Sequence, residues 1–276
     1  MSAPTASSAP TGPGRTGALA GRTALVTGAS RGLGRGIAAA LAGAGAGVVG
    51  VARTAAGLAE VAAELGTAFT AEPGDVADPE VARRSLAERR PDVLVLNAGA
   101  IPVMGPLTQL TWAGFAGTWE VDVRQAFEWT AAALRLPLRP GSVVVLVSSG
   151  AALRGSPLSG GYAGSKATIR FVARYGAREA ALGGLDLRFV TVLPQLTPLG
   201  TVGEVGVTAY AADGGTDVDT FVAGLAPVLR PELMGAAVVD LVAGALAEPA
   251  GTGGSAEYLV TGRGVQPLGD GPERPR

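Results

Sequence analysis

The chain has 276 residues and a formal net charge of -1, and it contains neither cysteine nor histidine. That excludes disulfides, thiol chemistry, histidine-based triads and ordinary zinc sites, so acid–base work at neutral pH falls to carboxylates, tyrosine or lysine. Charges of both signs are scattered, which marks no nucleic-acid face, and no apolar run reaches the ~20 residues that span a bilayer.

Residues 1–17 are rich in Ala, Ser, Thr, Pro and Gly and lack the charged start and apolar core of a secretory signal. They are expected to be a disordered tail, as is the stretch 267–276, with one large α/β domain over 18–266 and a cytoplasmic location. Within that domain, Thr23-Ala24-Leu25-Val26-Thr27 is a short apolar run that stops at Gly28-Ala29-Ser30-Arg31-Gly32-Leu33-Gly34, and helical composition resumes from Ile37 to Leu41. The order is strand, glycine turn, helix. Gly28 permits the tight turn, Gly32 lets backbone amides approach a diphosphate, and Gly34 lets the helix pack closely on the strand. The helix N-terminus then offers free N–H groups and a favourable dipole to an anion.

A second strand over 48–52 ends at Ala52-Arg53. Folds that hold a free ribose place an acid near this point to accept bonds from the 2′-hydroxyl, and here that acid is absent. Arg53 and the turn's own Arg31 suit a 2′-phosphate instead, so NADP(H) is favoured, with NAD(H) the alternative.

A helix over 57–65 and a brief strand over 67–71 lead to Gly74-Asp75-Val76, where Asp78 is placed to cap a further helix that has Pro79 at its first position. The run 92–96, apolar after Asp92, reads as a strand buried on both faces, and it ends at Asn97-Ala98-Gly99. Ligands bind beyond the carboxyl ends of such strands, so the glycine turn, Asp75 and Asn97 are expected to line one crevice. Two long helices, over 112–136 and 161–182, flank a strand over 142–147. A strand over 186–192 precedes a segment near 195–230 expected to cover the substrate, and a helix over 231–246 and a strand over 257–261 close the domain. In that cover Val202, Val205, Val207, Tyr210 and Phe221 suit either an apolar substrate wall or the segment's own packing. The alternation predicts a Rossmann-type, doubly wound parallel sheet of about seven strands with helices on both faces.

The strand over 142–147 runs into Ser148-Ser149, and Tyr162 and Lys166 follow four residues apart, on one face of a helix. An ammonium beside a phenol favours the phenolate, and a hydroxyl from Ser149 could hold a substrate oxygen while Tyr162 gives or takes its proton. Lys166 is the only lysine in the chain. A broad, planar guanidinium could not serve as the same compact point charge.

These residues together resemble the short-chain dehydrogenase/reductase family, over about residues 20–264. Thr27-Gly28-Ala29-Ser30-Arg31-Gly32-Leu33-Gly34, Asp75-Val76, Asn97-Ala98-Gly99, Ser149 and Tyr162-x-x-x-Lys166 stand in the family's order, and the thirteen residues from Ser149 to Tyr162 identify Ser149 rather than Ser148 as the matching serine. The resemblance implies hydride transfer between nicotinamide and an alcohol or carbonyl carbon, with Tyr162 as general acid/base, Ser149 orienting the substrate oxygen, and Lys166 supporting the tyrosine and holding the nicotinamide ribose. It implies that Thr27 and Asn97 steady the turn, that Asp75 meets the adenine, and that Ser30, Leu33, Val76, Ala98, Gly99 and Pro194 lie along the cofactor. It also implies a homodimer or homotetramer through the two long helices.

Two positions depart from the family pattern. Asp122 stands where an asparagine is usual; it keeps an acceptor, loses the amide donor and brings a charge to a candidate catalytic position. Gln195 replaces the glycine usual after Pro194, which leaves the loop path open, and leaves open whether Thr197 or Thr201 meets the nicotinamide amide. The expected activity is that of an NADP(H)-dependent carbonyl reductase or alcohol dehydrogenase on a small or medium alcohol/ketone pair. The alternative is a dinucleotide-binding regulator or sensor with little turnover.

Overall fold

A computed structural model describes residues 17–247 and 254–269. Both expected tails lie largely outside these residues. Seven strands lie parallel: β1 (Thr23–Thr27), β2 (Gly47–Ala52), β3 (Phe69–Pro73), β4 (Val93–Leu96), β5 (Ser142–Val147), β6 (Leu187–Pro194) and β7 (Ser255–Thr261). An eighth, β8 (Gly264–Leu268), adds antiparallel at the edge, and the sheet order is β3-β2-β1-β4-β5-β6-β7-β8.

β4 is apolar at every position, and β1 and β5 are apolar but for their terminal Thr and Ser residues, because both faces are covered. Alternate side chains serve opposite layers: Val93 and Val95 pack beneath helices α1 (Gly32–Gly43), α2 (Ala55–Leu65) and α10 (Pro231–Ala247). Leu94 and Leu96 pack on the other side, against α3 (Pro79–Arg89), α5 (Arg124–Arg135) and α7 (Gly160–Leu182). Asp78 caps α3 as expected, its side chain accepting from the Glu80 N–H, with Pro79 in the first turn.

Three local expectations need correction, and one short helix was not anticipated. The single helix expected over 112–136 is broken into α4 (Trp112–Ala116), a π-helical turn (Trp119–Val123) and α5. The break accommodates α7: a Cβ on Gly161 would stand 1.9 Å from the Phe115 carbonyl oxygen, and Trp119 Nε1 donates to the Gly161 carbonyl at 3.1 Å. The strand expected over 67–71 begins at Phe69, because Gly66 takes φ +59 and opens a short 3-10 turn. A short helix, α6 (Ala151–Arg154), follows the serine pair. Finally, Pro267 and Leu268, expected in the disordered tail, pair in β8 with Tyr258 and Glu257. Proline is tolerated there because an edge strand needs no donor on its open side.

Behind the serine loop, Glu257 of β7 is buried and receives Arg170 at 2.6 Å and Arg174 at 2.8 Å from α7. Arg170 also donates to the Ala152 carbonyl of α6 at 3.4 Å. Replacing one partner of a buried cluster strands the others, but both arginines reach solvent, which limits the loss. Glu257→Gln is expected to cost about 2 kcal/mol, seen as a fall in Tm of roughly 4–8 °C by calorimetry. An unchanged Tm would show that the cluster contributes nothing net.

Candidate active site

Between β1 and β4 the winding of the sheet reverses, and a crevice opens beyond the strand ends. Gly28 (φ +68) and Gly32 (φ +54) carry the turn out of β1 in left-handed conformations that only glycine adopts cheaply. Gly34 has an ordinary φ, and its constraint is space: a Cβ there would lie 2.1 Å from the Gly28 carbonyl oxygen and 2.4 Å from Asn97 Nδ2. Thr27, fully buried, ties the two strands together, its hydroxyl donating to the Val95 carbonyl (3.3 Å) and accepting from the N–H groups of Asn97 (2.9 Å) and Ala98 (3.2 Å). Asn97 Nδ2 returns a bond to the Thr27 carbonyl at 3.1 Å. Gln125 of α5, not singled out from sequence, donates to the Ala98 carbonyl at 2.9 Å and holds the end of β4 from the other side.

The crevice has a volume of about 1050 Å³. Of the residues expected to contact cofactor or substrate, all but Thr27 line it. At one end stand Ser30, Arg31, Arg53 and Asp75. Arg31 is the N-cap of α1, in extended backbone and making no side-chain capping bond, so the first-turn N–H groups face the crevice uncapped. Asp75 Oδ1 accepts from the Ala77 N–H at 3.0 Å, and the Val76 carbonyl accepts from Trp129 Nε1 at 2.9 Å.

Ser149, Tyr162, Lys166 and Asp122 converge at the other end. The two serines divide their work: Ser148 donates to the Lys166 carbonyl at 2.7 Å, whereas Ser149 Oγ accepts only a local bond from the Ala151 N–H at 3.2 Å. Lys166 is buried, its Nζ 3.0 Å from Asp122 Oδ2 and 5.6 Å from the centroid of the Tyr162 ring. It also donates to the Val147 carbonyl at 3.4 Å. Burial works against its charge, but the Asp122 carboxylate and the neighbouring Tyr162 outweigh that penalty and hold the ammonium above the ordinary lysine range.

Gln195 does not force a strained path. Among the described residues the only non-glycine with positive φ is Arg90, and the loop turns instead at Gly200 (φ +128). The Gln195 side chain donates to the Pro227 carbonyl at 3.0 Å. Thr197, buried, spends its hydroxyl proton on the Leu229 carbonyl (2.7 Å), while Thr201 opens helix α8 (Thr201–Asp213) at the crevice wall. Of the apolar residues in this segment, Val202 and Tyr210 line the crevice, whereas Val207 is buried and Phe221, from helix α9 (Val218–Gly224), stacks on Tyr210 at 6.2 Å. The segment thus serves both as wall and as its own small core. Tyr210 also bonds through its hydroxyl to Ser156, which meets Ser159 at 2.6 Å, and this chain joins α8 to the start of α7.

Residues 22–205 match the family model described as short chain dehydrogenase. The chain belongs to the short-chain dehydrogenase family. Members of this family that resemble it include L-xylulose reductase of Bos taurus, 34% identical over 186 residues, or 66% of this chain and 75% of the reductase. An NADPH-dependent pterin aldehyde reductase of Arabidopsis thaliana is 29% identical over 174 residues, 60% of this chain and 72% of that protein. Among solved structures, one described as an NAD(P)-dependent gluconate 5-dehydrogenase of Beutenbergia cavernae, with NADP bound at low occupancy, is 30% identical with a TM-score of 0.72, covering 88% of this chain and 96% of its own. As a short-chain dehydrogenase, this protein is an NAD(P)-dependent oxidoreductase of alcohol and carbonyl groups. No helix among the described residues is long and apolar enough to cross a membrane.

Proposed function

We propose that this short-chain dehydrogenase is an NADP(H)-dependent carbonyl reductase or alcohol dehydrogenase acting on a small or medium alcohol/ketone pair. The observation that carries this reading is one crevice with Arg31 and Arg53 at one end and Ser149, Tyr162 and Lys166 at the other. Its residues fit an NADP molecule. The space above Gly32 is open: a Cβ there would meet nothing nearer than Gly200 Cα at 3.9 Å, which leaves the turn's amides free to meet a diphosphate. Arg31 and Arg53 supply paired donors for a 2′-phosphate, Asp75 would meet the adenine, and β2 ends at Ala52 rather than at the acid that would read a free ribose hydroxyl.

A nicotinamide dinucleotide supplies or accepts the hydride when bound. Tyr162 gives or takes the proton of the substrate oxygen at its phenolic oxygen, and Ser149, whose hydroxyl hydrogen has no acceptor among the described residues, donates to that oxygen and holds it in place. Lys166 keeps a positive charge under the tyrosine as negative charge develops there. Exposed Phe127 on α5 and Phe171 and Tyr175 on α7 put apolar side chains on the outer surface of these helices, which supports assembly into a homodimer or homotetramer.

Titration with NADPH and NADH, followed by nicotinamide fluorescence, tests the cofactor reading. NADPH is expected to bind more tightly, and Arg53→Ala to weaken it roughly 10- to 100-fold, the loss of one charge-assisted contact, with little effect on NADH. Tighter binding of NADH would overturn the roles of Arg31 and Arg53.

A further inference from the structure

We propose that Asp122 is a positioning residue, an internal counter-ion that fixes the chain's single lysine as an ammonium beneath Tyr162. This rests on Tyr162 and Lys166 being the working pair.

Asp122 is fully buried, delivered by the π-helical turn Trp119–Val123. Both carboxylate oxygens face built partners: Oδ1 accepts from the Ala100 N–H at 2.7 Å, and Oδ2 stands 3.0 Å from Lys166 Nζ. The strand-end loop leaves room for it, since a Cβ on Gly99 would lie 3.0 Å from Oδ2. The charged or titratable groups facing Lys166 are Asp122, from the turn before α5, and Tyr162, from its own helix; β5 contributes the Val147 carbonyl at 3.4 Å. A buried ammonium with only that one long contact to a neutral carbonyl would shed its proton readily. With the carboxylate present, the ammonium keeps both its charge and its place. An asparagine at this position could still accept from Ala100 but would offer no charge to the lysine.

The chain's lone lysine makes the test direct, because lysine carrying 13C at Cε yields one side-chain signal. Its pH titration is read in the protein without cofactor or substrate. In Asp122→Asn the midpoint is expected to fall by about one unit or more relative to the parent protein, as loss of an adjacent opposite charge dictates. Because turnover needs the ammonium, the alkaline limb of the pH–kcat profile should move to lower pH by the same amount, with KM little changed. A merely structural Asp122 would lower Tm and leave both midpoints in place. Should Asp122→Asn not fold, Gly99→Ala, which crowds Oδ2, should shift the lysine midpoint in the same direction. Equal midpoints in parent and variant overturn the inference while leaving the reductase reading intact. A shifted midpoint in a protein that turns over no carbonyl compound sinks the reductase reading and keeps the counter-ion.

Discussion

Tyr162→Phe is expected to lower kcat by roughly 10²–10⁴-fold, the usual contribution of one positioned acid–base group. NADPH should still bind, because the substitution deletes one oxygen and leaves the glycine turn, Arg31 and Arg53 untouched. The expectation is strong here because the chain offers so few substitutes. It has no histidine or cysteine; beside Tyr162 stand Ser149, whose hydroxyl is suited to hydrogen bonding, and the ion pair of Lys166 with Asp122, and the other phenol lining the crevice, Tyr210, is already bonded through its hydroxyl to Ser156. Steady-state rates with a responsive ketone, set beside a binding titration of the same preparation, separate the two effects. Retained turnover would remove Tyr162 from the chemistry. Tight NADPH binding by the parent protein with no turnover of any carbonyl compound would instead favour a regulator or sensor.

The second large effect is expected at Gly34. Its missing Cβ would fall 2.1 Å from the Gly28 carbonyl, a backbone atom, so Gly34→Ala cannot be absorbed by a rotamer change. Either α1 moves away from the end of β1 or the turn itself shifts, and Asn97, whose Nδ2 lies 2.4 Å from the same point, loses its bond to the Thr27 carbonyl. Overpacking of this kind costs about 1–3 kcal/mol, and displacement of the turn's amides should weaken NADPH by tenfold or more. Gly43→Ala, at the other end of the same helix with nothing within 4 Å, is the control and should leave binding unchanged. If Gly34→Ala binds NADPH like the parent protein, the turn does not cradle the diphosphate.

Both predictions begin in features legible in the chain. The glycine turn declares itself because a short apolar strand, three glycines and a helix are consecutive, and their geometry depends on φ preferences and near neighbours. Tyr162 and Lys166 are legible for the same reason, as four residues on a helix set a shared face wherever that helix lies. The all-apolar run of β4 announced burial on both sides, and the doubly wound parallel architecture followed from the alternation of strand and helix.

Other features depend on partners far along the chain. Residues 112–136 carry helical composition throughout, and the break at Trp119–Val123 arises from the close approach of Gly161 and the bond it accepts from Trp119. β8 has no strong strand pattern of its own and exists through pairing with β7. The fate of Gln195 was settled by an acceptor on Pro227 and a turn moved to Gly200.

The sequence by itself therefore determined the strand–turn–helix units, the family and the shared helix face of Tyr162 and Lys166, because each is encoded within a few adjacent residues. Only the tertiary structure decided that Asp122 faces Lys166 rather than solvent, that Thr197 spends its hydroxyl on Leu229, and that Ser148 spends its own on the Lys166 carbonyl. Those outcomes turn on which long-range donor, acceptor or charge meets each side chain, and such meetings are set by packing, which no local pattern carries.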